Sequence, residues 1–154
     1  MNRTTKTIAL AANVLVVGAC SWVMAQPDPE ELKCLADNVY FESSTQSRAG
    51  QIAVANVTLN RVNSSAFPNT ICDVVWEDRQ FSWTHDGKSD NPENKDAYNT
   101  IYNLVELVYN DTIVDITEGA TFYHADYVTP HWASTMDKQV AHIDQHIFYK
   151  HKGR

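Results

Sequence analysis

Apolar side chains recur at helical spacing near the start of the chain. Leu32, Leu35 and Val39 follow one another at steps of three and four residues, just after Pro29 and two acidic residues. Such a stripe is typical of one face of an amphipathic helix, and proline followed by acids fits its N-terminus. One further step of three reaches Glu42, which falls about 20° from Leu35 around a helix. The pattern therefore places a carboxylate where an apolar side chain is expected.

The remaining pattern predicts further helices and small strands. Thr45 or Ser47 fits the N-cap of a second helix that runs to about Val62, and a third helix is expected over residues 93–110. Shorter elements are a helical piece in "ICDVVWE", a hairpin-type turn at Asp86-Gly87, and strands in "GATFYHADYV" and "QHIFYKH". Together these elements predict one α+β domain that is mostly helical, with small β elements.

Length and charge narrow the function classes. At 154 residues the chain can bury a sizeable core as a single domain, and we expect a monomer. The formal net charge of −7 argues against a nucleic-acid-binding protein, which needs a basic face for phosphates. The chain has five glycines and no phosphate-binding glycine motif, and no cofactor is expected.

Residues 1–25 have the composition of a targeting segment. Arg3 and Lys6 precede the apolar run "TIALAANVLVVGA", and Val23-Met24-Ala25 offers a small-residue cleavage site. Two alternatives stay open: "VGAC" resembles a lipoprotein signal ending at Cys20, and the apolar run is nearly long enough for an uncleaved membrane anchor. All three interpretations export residues 26–154 to the periplasm, the cell envelope or the medium, and the last two add a membrane tether.

Two cysteines remain once Cys20 is assigned to the targeting segment. In an oxidising compartment an even pair, Cys34 and Cys72, predicts a disulfide between the first helix and the segment after the second. The alternative is a pair of buried thiols.

Glu42 is the first candidate for chemistry. A carboxylate on an apolar stripe is costly unless it is paired, faces a cleft or is protonated. Because desolvation raises a glutamate's pKa, the position suits a general acid at neutral pH. The alternative is a helix that ends near Phe41 and leaves Glu42 in solvent.

Aromatic residues in the second half of the chain suggest a sugar-binding groove. Trp83 and Trp132 are the best candidates because each lies beside polar loop residues, and Phe81 and Tyr123 belong to the same set. Hydrogen bonds to hydroxyl and N-acetyl groups are expected from Asn60, Arg61 and Gln80. The alternative is that most of these aromatic residues are core.

Five of the six histidines lie between residues 124 and 151, which raises the question of a metal. The only four-residue spacing joins His142 to His146 with no glutamate between them, so the pattern lacks the usual zinc motif. We therefore expect no metal and treat His124 and His146 as substrate-binding candidates.

Several ordered blocks identify a family resemblance. "LADNVYFESSTQSRAGQIAVANVTLNRVNSSAFPNTICDVVW", "QFSWTHDGKSD", "GATFYHADYVTPHW" and "HIFYKH" resemble the SleB-type cell wall hydrolases, which include the spore cortex-lytic enzymes. The resemblance covers about residues 32–151. It implies a lysozyme-like catalytic domain over residues 32–154, with residues 26–31 as a short lead-in.

The resemblance also implies an activity. Family members cleave the glycan strands of peptidoglycan as lytic transglycosylases or muramidases, and the glutamate of the first block is their catalytic acid, which is Glu42 here. The alternatives are plain hydrolysis of the same bond, a non-catalytic peptidoglycan-binding lipoprotein, and a metal-dependent amidase. The chain departs from the family in two places. It has Glu42-Ser43-Ser44 where the family usually has Glu-Ala-Arg, and Asp144-Gln145-His146 where it usually has Gly-Asn-His.

Overall fold

The computed structural model describes residues 28–136 and 138–151. It contains four α-helices, α1 to α4, and three strands, β1 to β3, in the described residues. Their bounds are α1 Pro29–Ser43, α2 Arg48–Val62, α3 Ile71–Trp76, α4 Lys95–Tyr109, β1 Phe122–Ala125, β2 Lys138–Ile143 and β3 His146–Lys150. Short 3₁₀ helices span Ser82–His85 and His131–Thr135. The predicted targeting segment, residues 1–25, lies outside the described residues.

Each α-helix begins at a polar residue whose side chain accepts a hydrogen bond from a backbone N–H of the first turn. These caps are Asp28, Ser47, Thr70 and Asn94. Ser47, rather than Thr45, therefore caps the second helix. Within the described part of the chain, no helix has the length and apolar character needed to cross a bilayer.

The helices pack around α1, which contacts α2, α3 and α4. Their apolar stripes form the main core, in which Leu35, Val39, Val54 and Val105 are fully buried. In α4, Ile101, Leu104 and Val108 are also buried. Residues 53–58 of α2 are buried without interruption, because this helix lies between the other helices and the sheet.

The predicted disulfide is present. Cys34 of α1 is bonded to Cys72 of α3, with 5.3 Å between their Cα atoms. It links the start of α3 to α1.

The sheet is antiparallel with strand order β1-β3-β2, and β1 pairs with β3 in a register that sets Tyr123 opposite Phe148. Strands β1 and β3 agree with the prediction, whereas β2 was not predicted from the sequence. Its alternation is disturbed because the pairing shifts by one residue between Gln139 and Ala141. A small second core joins the sheet to α2 through Ala53, Val57 and Phe148.

The expected hairpin-type turn at Asp86-Gly87 is a turn without flanking strands. Asp86 Oδ1 accepts the Lys88 N–H at 2.8 Å, and Gly87 has a φ of 73°. The preceding residues form the 3₁₀ helix Ser82–His85 instead of a strand. Phe81 and Trp83, two residues apart, are both turned into the core.

Candidate active site

Glu42 lies in the last turn of α1 and faces the sheet. Because α1 continues to Ser43, the alternative in which the helix ends near Phe41 is wrong. The hydroxyl of Tyr123, on β1, donates a hydrogen bond to Glu42 Oε2 at 2.8 Å. A carboxylate from the helices thus meets a phenol from the sheet across 81 residues of sequence.

Burial is the main influence on this carboxyl group. Desolvation raises the pKa of Glu42, while the Tyr123 hydrogen bond and the positive charge of Arg61 oppose the shift without cancelling it. Burial also raises the pKa of the half-buried Tyr123 well above its usual value; the charge and the hydrogen bond of Glu42 add to this shift, and the charge of Arg61 opposes it. Tyr123 therefore stays protonated as a donor, and Glu42 holds its proton to a higher pH than a solvated glutamate would.

Glu42 opens into a cleft of about 720 Å³. Six residues predicted from the sequence line it: Glu42, Arg61, Gln80, Tyr123, His124 and His146. Among the described residues that line the cleft, Glu42 is the single carboxylate.

Arg61 of α2 supplies the positive charge of the cleft. Its Nε donates to the Thr121 carbonyl at 2.8 Å, and its guanidinium lies over the rings of Phe67, Phe81 and Phe122 at 5.0 to 6.0 Å. The residue is only 4% exposed, and its Nη1 has no hydrogen-bond partner among the described residues. A fixed guanidinium nitrogen of this kind can bind a polar group of a ligand.

His146 of β3 is the second polar group of the cleft that is held in place. It is 8% exposed, and its ring lies edge-on to Tyr123 with 5.0 Å between centroids. Burial lowers its pKa, opposed by the charges of Asp144 and Asp126, so the neutral imidazole is favoured. Its Nδ1 has no hydrogen-bond partner in the described part of the chain. By contrast, His124 is engaged with the Ala125 carbonyl and the Tyr149 hydroxyl.

Three predicted groove residues lie elsewhere. Phe81 is 2% exposed and Trp83 is 7% exposed, so both belong to the core. The Trp83 ring stacks on Phe41 at 4.7 Å, and its indole N–H donates to the buried Asn38 at 3.0 Å. The expectation of a glycan-facing Trp83 is therefore corrected, since its face and its donor are both occupied. Trp132 packs against Phe122, His124 and Tyr149 rather than lining the cleft.

The side chain of Asn60 makes hydrogen bonds within the protein instead of facing the cleft. Its Nδ2 lies within hydrogen-bond distance of the Asp115 carboxylate, the Thr117 hydroxyl and the Ala120 carbonyl, at 3.0 to 3.3 Å. It lines neighbouring cavities but not the cleft of Glu42. The structure thus uses this amide to hold the segment before β1.

Sequence reasoning missed half of the cleft: Phe41, Arg79, Ser82, His85, Ala125 and Tyr127. Arg79 has a left-handed φ of 62°, and its N–H donates to His85 Nε2 at 2.7 Å. Arginine gives no sequence signal for that backbone shape. Tyr127 is 80% exposed; it belongs to the aromatic residues of the second half that suggested a groove, but it was not singled out as a site residue.

In residues 28–136 and 138–151 no group of three or more histidine, cysteine, aspartate or glutamate side chains is arranged to hold a metal ion. His142, which the spacing paired with His146, instead lies 3.4 Å from the Asp126 carboxylate.

The second departure from the family pattern, Asp144-Gln145, contacts the turn between α1 and α2. The Ser47 N–H donates to Asp144 Oδ2 at 2.9 Å, and Gln46 donates to Gln145 at 3.3 Å. Asp144 has a φ of 50°, at the position where the family usually has glycine. A Cβ on Gly50 would come within 2.4 Å of Asp144 Oδ2, so glycine at this position makes room for the carboxylate.

Comparison with known proteins decides the family. The model of a cell wall hydrolase domain matches residues 45–149, beginning three residues after Glu42. The chain belongs to the cell wall hydrolase family. The spore cortex-lytic enzyme of Bacillus cereus is 35% identical over 121 residues, which is 78% of this chain and 44% of that protein. The enzyme of the same name from Bacillus subtilis is 31% identical over 119 residues, 77% of this chain and 37% of that protein.

Two solved structures are also similar to this cell wall hydrolase. The catalytic domain of Bacillus cereus SleB matches with a TM-score of 0.64 at 34% identity, covering 80% of this chain and 91% of that one. The catalytic domain of the germination-specific lytic transglycosylase SleB from Bacillus anthracis gives a TM-score of 0.65, again at 34% identity, with 80% and 96% covered. The lysozyme-like fold expected from the resemblance is confirmed. The chain spans less than half the length of the curated relatives it matches.

Proposed function

We propose that this protein cleaves the glycan strands of peptidoglycan as a lytic transglycosylase, with Glu42 as general acid and then general base. The observation that supports it most is the half-buried Glu42 with a raised pKa, bonded to Tyr123 in an open cleft. The family match and the similar SleB catalytic domain, which is named a lytic transglycosylase, support the same reaction.

In the first step Glu42 gives its proton to the oxygen that links N-acetylmuramic acid to N-acetylglucosamine. The bond from the muramic C1 to that oxygen breaks, and an oxocarbenium-like state forms. In the second step the muramic C6 hydroxyl attacks C1 and its proton passes to the Glu42 carboxylate. The product is a 1,6-anhydro sugar, and the acid is restored without consumption of water.

The surrounding groups have distinct proposed roles. Tyr123 holds one Glu42 oxygen, which leaves the other free for proton transfer. Arg61 and His146 offer fixed polar atoms to the sugar's N-acetyl and hydroxyl groups, and Gln80 and His124 line the same cleft. The positive charge of Arg61 also stabilises the carboxylate left after the first step.

Ordinary hydrolysis of the same bond is the competing reaction. It requires a second carboxylate about 5–9.5 Å from the first to act as nucleophile or to activate water. Since Glu42 is the single carboxylate among the described residues lining the cleft, the geometry favours transglycosylation.

Mass spectrometry of digested peptidoglycan tests the proposal. Fragments that end in an anhydro sugar, lighter by one water than hydrolysed ones, are the expected products. Fragments that end in a hydrolysed sugar would instead show that the protein is a muramidase. Binding to cell walls without any released fragment would indicate a non-catalytic binding protein.

We also propose that residues 1–25 export the domain, which then acts on the wall outside the cytoplasm as a monomer. The basic start, apolar run and small-residue exit of this segment support export. Fractionation of producing cells, with N-terminal sequencing of the mature protein, distinguishes a start at Gln26 from a lipidated Cys20 or an uncleaved anchor.

A further inference from the structure

A second cavity of about 640 Å³ lies beside the cleft and is here called the side cavity. Gln80 lines both spaces. Arg61 stands between them: it lines the cleft, while its guanidinium lies over the rings of Phe67 and Phe122, which line the side cavity. A substituent of a sugar bound near Glu42 can therefore enter the side cavity around Gln80.

The side cavity carries charges of both signs. Glu77 contributes a carboxylate whose charge is attracted to the nearby Arg61 guanidinium, and whose Oε2 is buried and has no hydrogen-bond partner among the described residues. Lys150 contributes an ammonium group that donates to the Glu118 carbonyl at 3.4 Å, a long contact that leaves further N–H groups of the ammonium for another acceptor. A buried carboxylate oxygen without a donor is costly, and a cationic ligand group would remove that cost.

The polar lining between these charges suits a peptide. Ser64 and Ser65 add hydroxyl groups and Gln80 adds an amide, all able to bind backbone N–H and C=O groups. The sugars of the glycan strand carry hydroxyl and acetamido groups and do not call for a pair of opposite charges. The stem peptides of peptidoglycan carry carboxylates and, in many walls, a free side-chain amine.

We propose that the side cavity binds the stem peptide attached to the muramic acid next to the scissile bond, with Glu77 facing its amine and Lys150 facing a carboxylate. The inference rests on the proposed function, since it needs a peptidoglycan strand in the cleft. It makes the protein selective for peptide-bearing strands over bare glycan.

The test compares two substrates: purified glycan strands that carry stem peptides, and the same strands stripped of peptide by an amidase. Lys150→Met and Glu77→Gln should each lower the ratio of kcat/KM on peptide-bearing strands to kcat/KM on stripped strands, by roughly tenfold for one charge-assisted bond. The ratio cancels any effect that Glu77→Gln has on Glu42 through Arg61. Lys95→Met, which removes an exposed lysine at the start of α4, is the matched control and should leave the ratio unchanged.

Acetylation of the free amines of peptide-bearing strands gives an independent measurement. Wild-type protein should lose about the same factor on acetylated strands, whereas Glu77→Gln should lose no more than it has already lost.

Equal wild-type activity on both substrates overturns the proposal. So does an equal loss on both in the two variants, which would make the side cavity a subsite for the glycan itself. Failure of the proposed function looks different: wild-type protein would then release no fragments from either substrate.

Discussion

The helical half and the sheet half of the molecule form opposite walls of the cleft by different means. The helical half, α1 to α4, surrounds a large aliphatic core and carries a disulfide. The sheet half, β1 to β3, rests on a small cluster of Ala53, Val57, Ala120 and Phe148. Glu42 comes from the first half, whereas Tyr123 and His146 come from the second.

This difference separates the acid from the groups that tune it. The backbone of Glu42 is fixed by the packing of α1, which the core determines. Tyr123 and His146 keep their places through a few contacts across the boundary of the two halves, such as Arg61 with Thr121 and Ser47 with Asp144. Substitutions in the core of the helical half should therefore act mainly on stability, whereas substitutions of Tyr123 and His146 should act mainly on the pH dependence and rate.

The largest effect is expected from Glu42→Gln, which keeps the shape of the side chain and removes the transferable proton. Activity on purified peptidoglycan should fall at least about 10²–10⁴-fold, the usual contribution of general acid catalysis. Release of muropeptides at close to the wild-type rate would refute the assignment.

The same variant tests the pKa of Glu42. Because burial raises this pKa, the folded state keeps a proton that the unfolded state releases. The stabilisation is present at acidic pH and is lost as pH rises from the ordinary glutamate range through the raised pKa. The melting temperature of Glu42→Gln minus that of the wild type should therefore increase as pH increases.

Removal of the disulfide should be the largest change in stability within the helical half. Cys34→Ser with Cys72→Ser opens a link across 38 residues of sequence and should lower the free energy of unfolding by about 3–4 kcal/mol. Urea denaturation of the double variant measures it, with reduced wild-type protein as a control. A reduced protein whose thiols react with alkylating agent while its denaturation midpoint stays unchanged would contradict the estimate.

Replacing a tryptophan by phenylalanine should have a different effect on stability in each half of the molecule. Trp83→Phe leaves the buried Asn38 oxygen without its indole donor and opens a void, so a loss of about 2–3 kcal/mol is expected. Trp132→Phe, in the half-buried aromatic group beside β1, should cost less than about 1 kcal/mol. Thermal unfolding and glycan binding, measured on both variants, distinguish a core tryptophan from a glycan-binding one. A Trp83→Phe variant that loses binding and keeps its stability would restore the groove interpretation.

The boundary itself is probed by Gly50→Ala. The new methyl group would meet Asp144 Oδ2 and displace it from the Ser47 N–H, at a cost of about 1–3 kcal/mol. In an Asp144→Ala background the added cost should be much smaller, because the atom it strikes is gone. Additive effects in this double-mutant cycle would show that the two residues do not share the contact.

Tyr123→Phe should have only a small effect on stability, about 1 kcal/mol, because cleft water can replace the lost donor. Its diagnostic effect is on pH. The Tyr123 hydrogen bond lowers the pKa of Glu42, so its removal should raise that pKa further. The alkaline limb of the activity profile should move to higher pH, since only protonated Glu42 begins the reaction. An alkaline limb at unchanged pH would mean that a group other than Glu42 determines it.

Sequence reasoning identified the features that short-range patterns control. Apolar stripes predicted the main helices, a cap at Thr45 or Ser47 predicted the start of α2, and alternation in residues 119–128 and 145–151 predicted β1 and β3. Helical spacing placed Glu42 on the inward face of α1. Each depends on neighbours within a few residues, where side-chain sterics and local hydrogen bonds limit the backbone to few shapes.

Only the tertiary structure decided the surroundings of the acid. Trp83 and Trp132 look alike in the sequence, beside polar loop residues, yet only Trp83 meets a buried amide on another helix. Strand β2 depends on its pairing with β3, and a one-residue shift hides its period. Glu42 and Tyr123, 81 residues apart, meet because the sheet folds back onto α2 beside the end of α1. The chain by itself determined a helical acid on an inward face. Long-range packing decided which groups bond to it and which aromatic residues the substrate can reach, because such contacts depend on the positions of all the elements at once.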